Sequence, residues 1–135
     1  MKHLLFLALA VIGLSTCSKK DPFERDKNLL AGFWNLTEIT GGIAGTGYEA
    51  TFDQLQLTRK GRYALLSQDA AVQEGAYQLS EEDGQLFIRF NPDISNGLFF
   101  HDQEKEISWV GHQGPLVLSD PCCDLFVYRF ERDEE

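Results

Sequence analysis

Apolar and polar residues alternate along most of the chain beyond its first thirty positions. Leu55 and Leu57 share one face of their segment with glutamines on the other, and Phe126, Tyr128 and Phe130 share one face of the last segment. A period of two is typical of a β-strand that has one face buried in the core and the other exposed to solvent. The pattern predicts strands within residues 30–39, 51–58, 62–67, 74–79, 85–90, 98–101, 104–110, 115–119 and 125–132.

The segments between these strands predict how the strands pair. Arg59-Lys60-Gly61 is a tight-turn sequence, and residues 40–47 contain four glycines, which predicts a flexible connection. No helical stripe is long enough for a crossover between parallel strands, so we expect antiparallel up-and-down pairing. About eight such strands can close into a β-barrel. An open two-sheet sandwich is the alternative.

The first sixteen residues have the layout of an export signal. Lys2 and His3 precede an apolar run at residues 4–14, and the run is shorter than the roughly 20 residues that a membrane-spanning helix needs. Polar residues follow up to residue 28 and predict a tether. The predicted organisation is a signal peptide at 1–16, a tether at 17–28 and one β-barrel domain at 29–135.

The junction Leu14-Ser15-Thr16-Cys17 resembles the lipobox of bacterial lipoproteins, although Thr16 stands where Gly, Ala or Ser is usual. The resemblance implies that Cys17 is acylated and becomes the first mature residue, so that fatty acyl chains such as palmitate anchor the protein to a membrane. An ordinary cleaved secretory peptide is the alternative. Several acyl chains would hold the protein firmly, since each buried CH₂ contributes roughly 0.8 kcal/mol.

The charge balance excludes some partners. Removing residues 1–16 takes away one of the 12 basic residues and none of the 21 acidic ones, which leaves a net charge of −10. Such a charge opposes binding to nucleic acid and to anionic lipid surfaces. We therefore expect no nucleic-acid partner and a membrane contact made by the lipid on Cys17.

Cys122 and Cys123 are adjacent in the loop that Asp120 opens. In an oxidising compartment they predict a vicinal disulfide or a structural turn; free buried thiols and a soft-metal or redox site are the alternatives. A copper site would need His101 or His112 as a further ligand. We expect no metal and no cofactor.

No residue pattern indicates catalysis. Gly-x-Ser-x-Gly is absent from the sequence, and the acids at residues 81–83 precede Gly84, which is typical of a solvated turn. The glycines of 40–47 are not followed by Lys-Ser or Lys-Thr, so they do not indicate a phosphate site. We expect the protein not to be an enzyme.

Five pieces of the chain, in order, resemble the lipocalin-like lipoproteins of Bacteroidota-type bacteria. They are the lipobox, LAGFWNLTEI with its Gly32-x-Trp34, LQLTRKGRYALL, EGAYQL and LVLSDPCCDLFVYRFER. The resemblance implies a lipocalin-like (calycin) barrel in which Trp34 lies at the closed end beneath an arginine of the last strand. Arg132 is the candidate, because the alternation places it on the same face of the last strand as Phe126, Tyr128 and Phe130.

We expect a monomeric lipocalin-like protein of the cell envelope, anchored to the outer membrane on either its periplasmic or its outer face. It would bind a small apolar or amphipathic ligand at its open end, with loop 40–47 as a gate. The alternative is a filled barrel that serves as a protein-interaction or structural module. The candidate cavity residues are aromatic, as in many apolar pockets: Tyr77, Phe90, Trp109, Phe126 and Tyr128.

Overall fold

The computed structural model describes residues 18–42, 45, 47–91, 104–109, 114–121 and 126–134. Within these ranges the chain forms one helix and eight strands. They are α1 (Glu24–Leu30), β1 (Gly32–Gly41), β2 (Gln54–Leu57), β3 (Arg62–Ser67), β4 (Ala70–Glu82), β5 (Gln85–Asn91), β6 (Glu104–Trp109), β7 (Leu116–Ser119) and β8 (Phe126–Arg132).

The eight strands form a closed barrel in which each strand pairs antiparallel with the next and β8 pairs with β1. The all-β, up-and-down barrel predicted from the sequence is confirmed. Trp34 is opposite Arg132 in the register that closes the barrel, and Leu36 is opposite Phe130. The predicted strand at 98–101 lies outside the described residues.

The hairpin predicted around residues 59–61 is also confirmed. Gly61 N donates to the carbonyl oxygen of Thr58, and β2 and β3 pair on either side, with Leu57 opposite Tyr63. Gly61 has a φ of +77°, which favours glycine. The turn therefore determines which face of each strand points inward.

The inward faces of the strands are mainly apolar, as the period of two requires, and among the described residues Lys105 on β6 is the buried charged exception. Leu55, Leu65, Ile88, Leu118 and Phe130 have no exposed surface. The same core includes Leu30, Trp34, Ile39, Phe52, Leu57, Tyr63, Tyr77, Leu79, Phe90, Ile107, Leu116 and Tyr128. Hydrophobic burial on one side of a single closed sheet is thus what holds the fold.

Helix α1 lies at the end of the barrel where β1 begins and β8 ends, which we call the helix end. Leu30 is fully buried in the core, and Phe23, just before the helix, packs partly buried against it. The helix includes residues 24–28 of the predicted tether. The opposite end, where β1, β5 and β7 end, we call the loop end.

Strand β1 leaves β2 part-way along its length. It pairs with β2 only over Gly32–Asn35, and with β8 from Trp34 to Gly41 with a bulge at Thr37. Beyond Asn35 the segment 47–53 lies beside β1 instead of a strand, and Leu36 N donates to the carbonyl oxygen of Asp53 at 2.8 Å. The barrel wall is therefore irregular near the loop end.

Candidate functional site

Arg132 and Trp34 close the helix end together. The Cζ atom of Arg132 lies 4.2 Å from the centroid of the Trp34 ring, within the distance of about 6 Å at which a cation interacts with an aromatic face. Arg132 Nη1 donates to the carbonyl oxygen of Ala31 at 2.9 Å, and Nη2 to that of Leu29 at 2.6 Å. Trp34 Nε1 donates to the carbonyl oxygen of Leu30 at 2.8 Å. Two side chains thus satisfy three consecutive carbonyls at the end of α1.

Gly32 is required by this arrangement. A Cβ atom at Gly32 would lie 2.7 Å from Nη1 of Arg132, and the residue has a φ of +142°. Both the space and the backbone conformation exclude a side chain. The Gly-x-Trp motif therefore has a structural role at the helix end, and it brings together the predicted residues Gly32, Trp34 and Arg132.

A buried ion pair lies inside the barrel at the loop end. Lys105 and Asp120 form a salt bridge between Nζ and Oδ1, with only 1% and 3% of their side-chain surfaces exposed. Lys105 is opposite Ile88 on β5, and Asp120 directly follows β7. Asp120 Oδ2 also accepts a hydrogen bond from Phe126 N at 3.1 Å. The carboxylate thus joins β6 to the start of β8.

Aromatic rings surround this pair. The ring centroid of Tyr128 lies 6.0 Å from Lys105 Nζ and 6.3 Å from the ring of Phe126. Burial, with a smaller contribution from the negative charge of Asp120, raises the pKa of the Tyr128 hydroxyl well above its usual value. Tyr128 is therefore uncharged at neutral pH and adds no charge to the pair.

A pocket of about 300 Å³ opens in the barrel wall where β1 has left β2. Its apolar part includes Leu36, Ile39, Ala50 and Phe52, and Tyr48 lies beside them. Polar side chains also line the pocket: Thr37, Glu38, Glu49 and Asp53. Its volume is at the lower limit of small-molecule sites, and its lining combines an apolar surface with polar groups.

Tyr48 connects the pocket to the ion pair. Its ring meets that of Phe126 edge-on, with centroids 4.9 Å apart. Gly42 packs against both rings, because a Cβ atom there would lie 2.7 Å from the Tyr48 hydroxyl and 3.0 Å from Phe126. A chain of contacts thus runs from the wall pocket through the Tyr48 and Phe126 rings to the Phe126 N–H that donates to Asp120.

The predicted cavity residues have different surroundings. Tyr77, Phe90 and Tyr128 are packed in the core, whereas Phe126 is only partly buried against it. Trp109 ends β6, and its side chain lies outside the described residues. None of the four whose side chains the structure describes lines the wall pocket.

Tyr77 belongs to the helix end by its contacts. Its hydroxyl donates to the carbonyl oxygen of Thr58 at 2.7 Å. Burial, and to a smaller extent the charge of Asp21, raises the pKa of Tyr77 to about 12. The Tyr77 side chain thus helps to stabilise the β2–β3 turn.

The predictions for Cys17, Cys122, Cys123, His101 and His112 all lie outside the described residues. Within the described ranges, no group of three or more His, Cys, Asp or Glu side chains is arranged to hold a metal ion. In the same part of the chain, no helix has the length and apolar character needed to cross a membrane.

Comparisons of this chain with protein-family models, with curated proteins and with solved structures found no match.

Lys105 and Asp120 were not singled out from the sequence. The alternation of β6 could have predicted that Lys105 points inward, because Lys105 lies on the same face of the strand as the buried Ile107. Asp120 carries no such signal, because it lies beyond the last residue of its strand. The register of β6 and β7 brings the two residues together.

Proposed function

We propose that this protein is a lipid-anchored, lipocalin-like barrel of the cell envelope that binds a small apolar or amphipathic molecule. The observation that supports the proposal best is the pocket of about 300 Å³ in the barrel wall. Ile39 and Tyr48, which line the pocket, flank the segment 40–47 that we expect to act as a gate. The size of the pocket suits a small ligand rather than a macromolecule, and its lining is divided about equally between apolar and polar surface.

The lining favours an amphipathic ligand. Leu36, Ile39 and Phe52 offer apolar contacts, whereas Glu38 and Glu49 are exposed at the same pocket. An apolar chain would displace water mainly from Leu36, which is half-buried, while its polar end stays near water or reaches another polar group. Tyr48 lies at the point where the pocket approaches the barrel interior, so its ring would contact the bound ligand.

The proposed anchor rests on the sequence Leu14-Ser15-Thr16-Cys17. Metabolic labelling with palmitate in an exporting bacterial host should label the wild-type protein and place it in the membrane fraction. The variant Cys17→Ser should lose both the label and the membrane association. Release of an unlabelled wild-type protein into the soluble envelope fraction would support an ordinary secretory peptide instead.

One observation favours the second candidate, a filled barrel that acts as an interaction or structural module. Tyr63 and Phe90 pack edge-on with ring centroids 5.0 Å apart in the core, and Tyr77 and Tyr128 are also buried there. Aromatic packing of this kind takes up interior volume. In this case the wall pocket would have no ligand.

Native mass spectrometry of the protein purified from its own host distinguishes the two candidates. Binding predicts an additional mass that organic extraction removes. The variant Ala50→Trp places an indole in the pocket and should abolish the additional mass, whereas Val72→Trp, at an exposed position of β4, should retain it. A wild-type protein without any retained or added ligand would support the filled barrel.

A further inference from the structure

The Lys105–Asp120 pair is an unusual feature for the interior of a small barrel. Moving two charges out of water costs several kcal/mol per ion, and their mutual attraction often does no more than offset that cost. Apolar residues of similar size would commonly give equal or greater stability. A contribution to folding therefore does not explain why a salt bridge occupies this position.

Two contacts link the pair to the pocket that the proposed function uses. Phe126 donates its backbone N–H to Asp120, and its ring contacts Tyr48, which lines the pocket. Phe126 and Tyr48 are both partly exposed, unlike the fully buried Tyr128 beyond them. Displacement of these two rings would bring a molecule in the pocket to the ion pair.

On the basis of the proposed function, we propose that Lys105 and Asp120 bind the polar head of the ligand, and that this head is an uncharged hydrogen-bonding group. A hydroxyl can donate to the Asp120 carboxylate and accept from the Lys105 ammonium. The pair is neutral as a whole, so a carboxylate or an ammonium head would leave a net charge in a buried site. The overall charge of −9 further opposes the approach of anions.

The ligand class can be tested with three probes that share one alkyl chain and differ in the head: dodecanol, dodecanoate and dodecylamine. The full-length protein from an exporting host is mixed with equal concentrations of the three probes, and the adducts are ranked by native mass spectrometry. We expect the dodecanol adduct to dominate, with the two charged probes about tenfold weaker, which corresponds to roughly 1.4 kcal/mol. A charged probe that equals or exceeds dodecanol would overturn the inference and leave the proposed function intact. The absence of all three adducts would contradict the proposed function as well.

Charge variants test whether the head contacts this pair. Asp120→Asn leaves the charge of Lys105 and should change the preferred probe to dodecanoate, whereas Lys105→Met should change it to dodecylamine. Glu104→Gln is the control, because it also removes one negative charge. Glu104 is next to Lys105 in the sequence, but its Oε1 lies 3.9 Å from Arg89 Nη2 outside the barrel. This control should leave the ranking unchanged. Folded variants that keep the wild-type ranking would show that the head binds elsewhere.

A double variant covers the case in which the single variants do not fold. Lys105→Met with Asp120→Leu removes both charges together and leaves no unpaired ion. We expect its dodecanol adduct to be about tenfold weaker than that of the wild type, because the head loses both hydrogen-bond partners. An undiminished dodecanol adduct would overturn the inference.

Discussion

The guanidinium of Arg132 lies over the indole of Trp34, with 4.2 Å between Arg132 Cζ and the ring centroid. This contact joins the last strand to the first strand at the place where the barrel closes. The same guanidinium binds the carbonyl oxygens of Leu29 and Ala31 and so holds α1 across the helix end. One side chain of the last strand therefore holds both the first strand and the helix that precedes it.

Replacing Arg132 by methionine should destabilise the protein by about 2 to 4 kcal/mol. The variant loses the contact with Trp34 and two charge-assisted hydrogen bonds. Urea denaturation followed by tryptophan fluorescence measures the change. Arg129→Met, at an exposed position of the same strand, is the matched control and should change the free energy of unfolding by less than about 0.5 kcal/mol. Equal losses for the two variants would refute the role of Arg132.

Gly32→Ala should destabilise the protein by about 2 kcal/mol, because the new Cβ would meet Arg132 Nη1 and the backbone would be strained. Gly84→Ala is the control, since Gly84 has a φ of +79° but no atom within 4 Å of its added Cβ. The control measures the cost of a side chain at a positive φ where the added Cβ contacts nothing. In the double variant Gly32→Ala with Arg132→Met the clash disappears. The double variant should therefore lose less free energy of unfolding than the sum of the losses of the two single variants. Strict additivity in urea denaturation would show that the close contact is unimportant.

Lys105→Met should cost about 3 to 5 kcal/mol, because it leaves the Asp120 carboxylate buried without its cation. The double variant Lys105→Met with Asp120→Leu should cost less than the single variant, although Phe126 N then loses its acceptor. That lost bond is worth about 1 kcal/mol. Thermal and urea unfolding of the three proteins provides the comparison. A double variant that is less stable than Lys105→Met would show that the unpaired Asp120 carboxylate is not the main cost of the single substitution.

Tyr77 should make the protein less stable at alkaline pH. Its pKa is raised from 10.0 to about 12 in the folded state, so the folded protein keeps a proton that the unfolded chain releases. The contribution to stability is complete below about pH 10 and is lost as the pH rises towards 12. Urea midpoints measured across this range should fall less steeply for Tyr77→Phe than for the wild type. Parallel slopes would contradict the raised pKa.

The strands and their inward faces were predictable, because alternation is a local property of the chain. Leu55 and Leu57 already indicate a face, and Arg59-Lys60-Gly61 indicates the turn that reverses the strand. The extent of α1 was not predictable in this way. Its apolar residues Leu29 and Leu30 are too few to form a helical period, and the contact of Leu30 with the barrel and the hydrogen bonds from Arg132 stabilise it.

The sequence by itself determined that the chain forms antiparallel strands with one apolar face, since each segment carries that information within a few residues. Only the tertiary structure decided that Lys105 meets Asp120 and that a pocket opens where β1 leaves β2. The ion pair depends on the register of β6 and β7, and the pocket lies where β1 has left β2 and bulges at Thr37. Register depends on the turns and on packing across the whole barrel, so the pattern within one strand does not specify which residues of two strands meet.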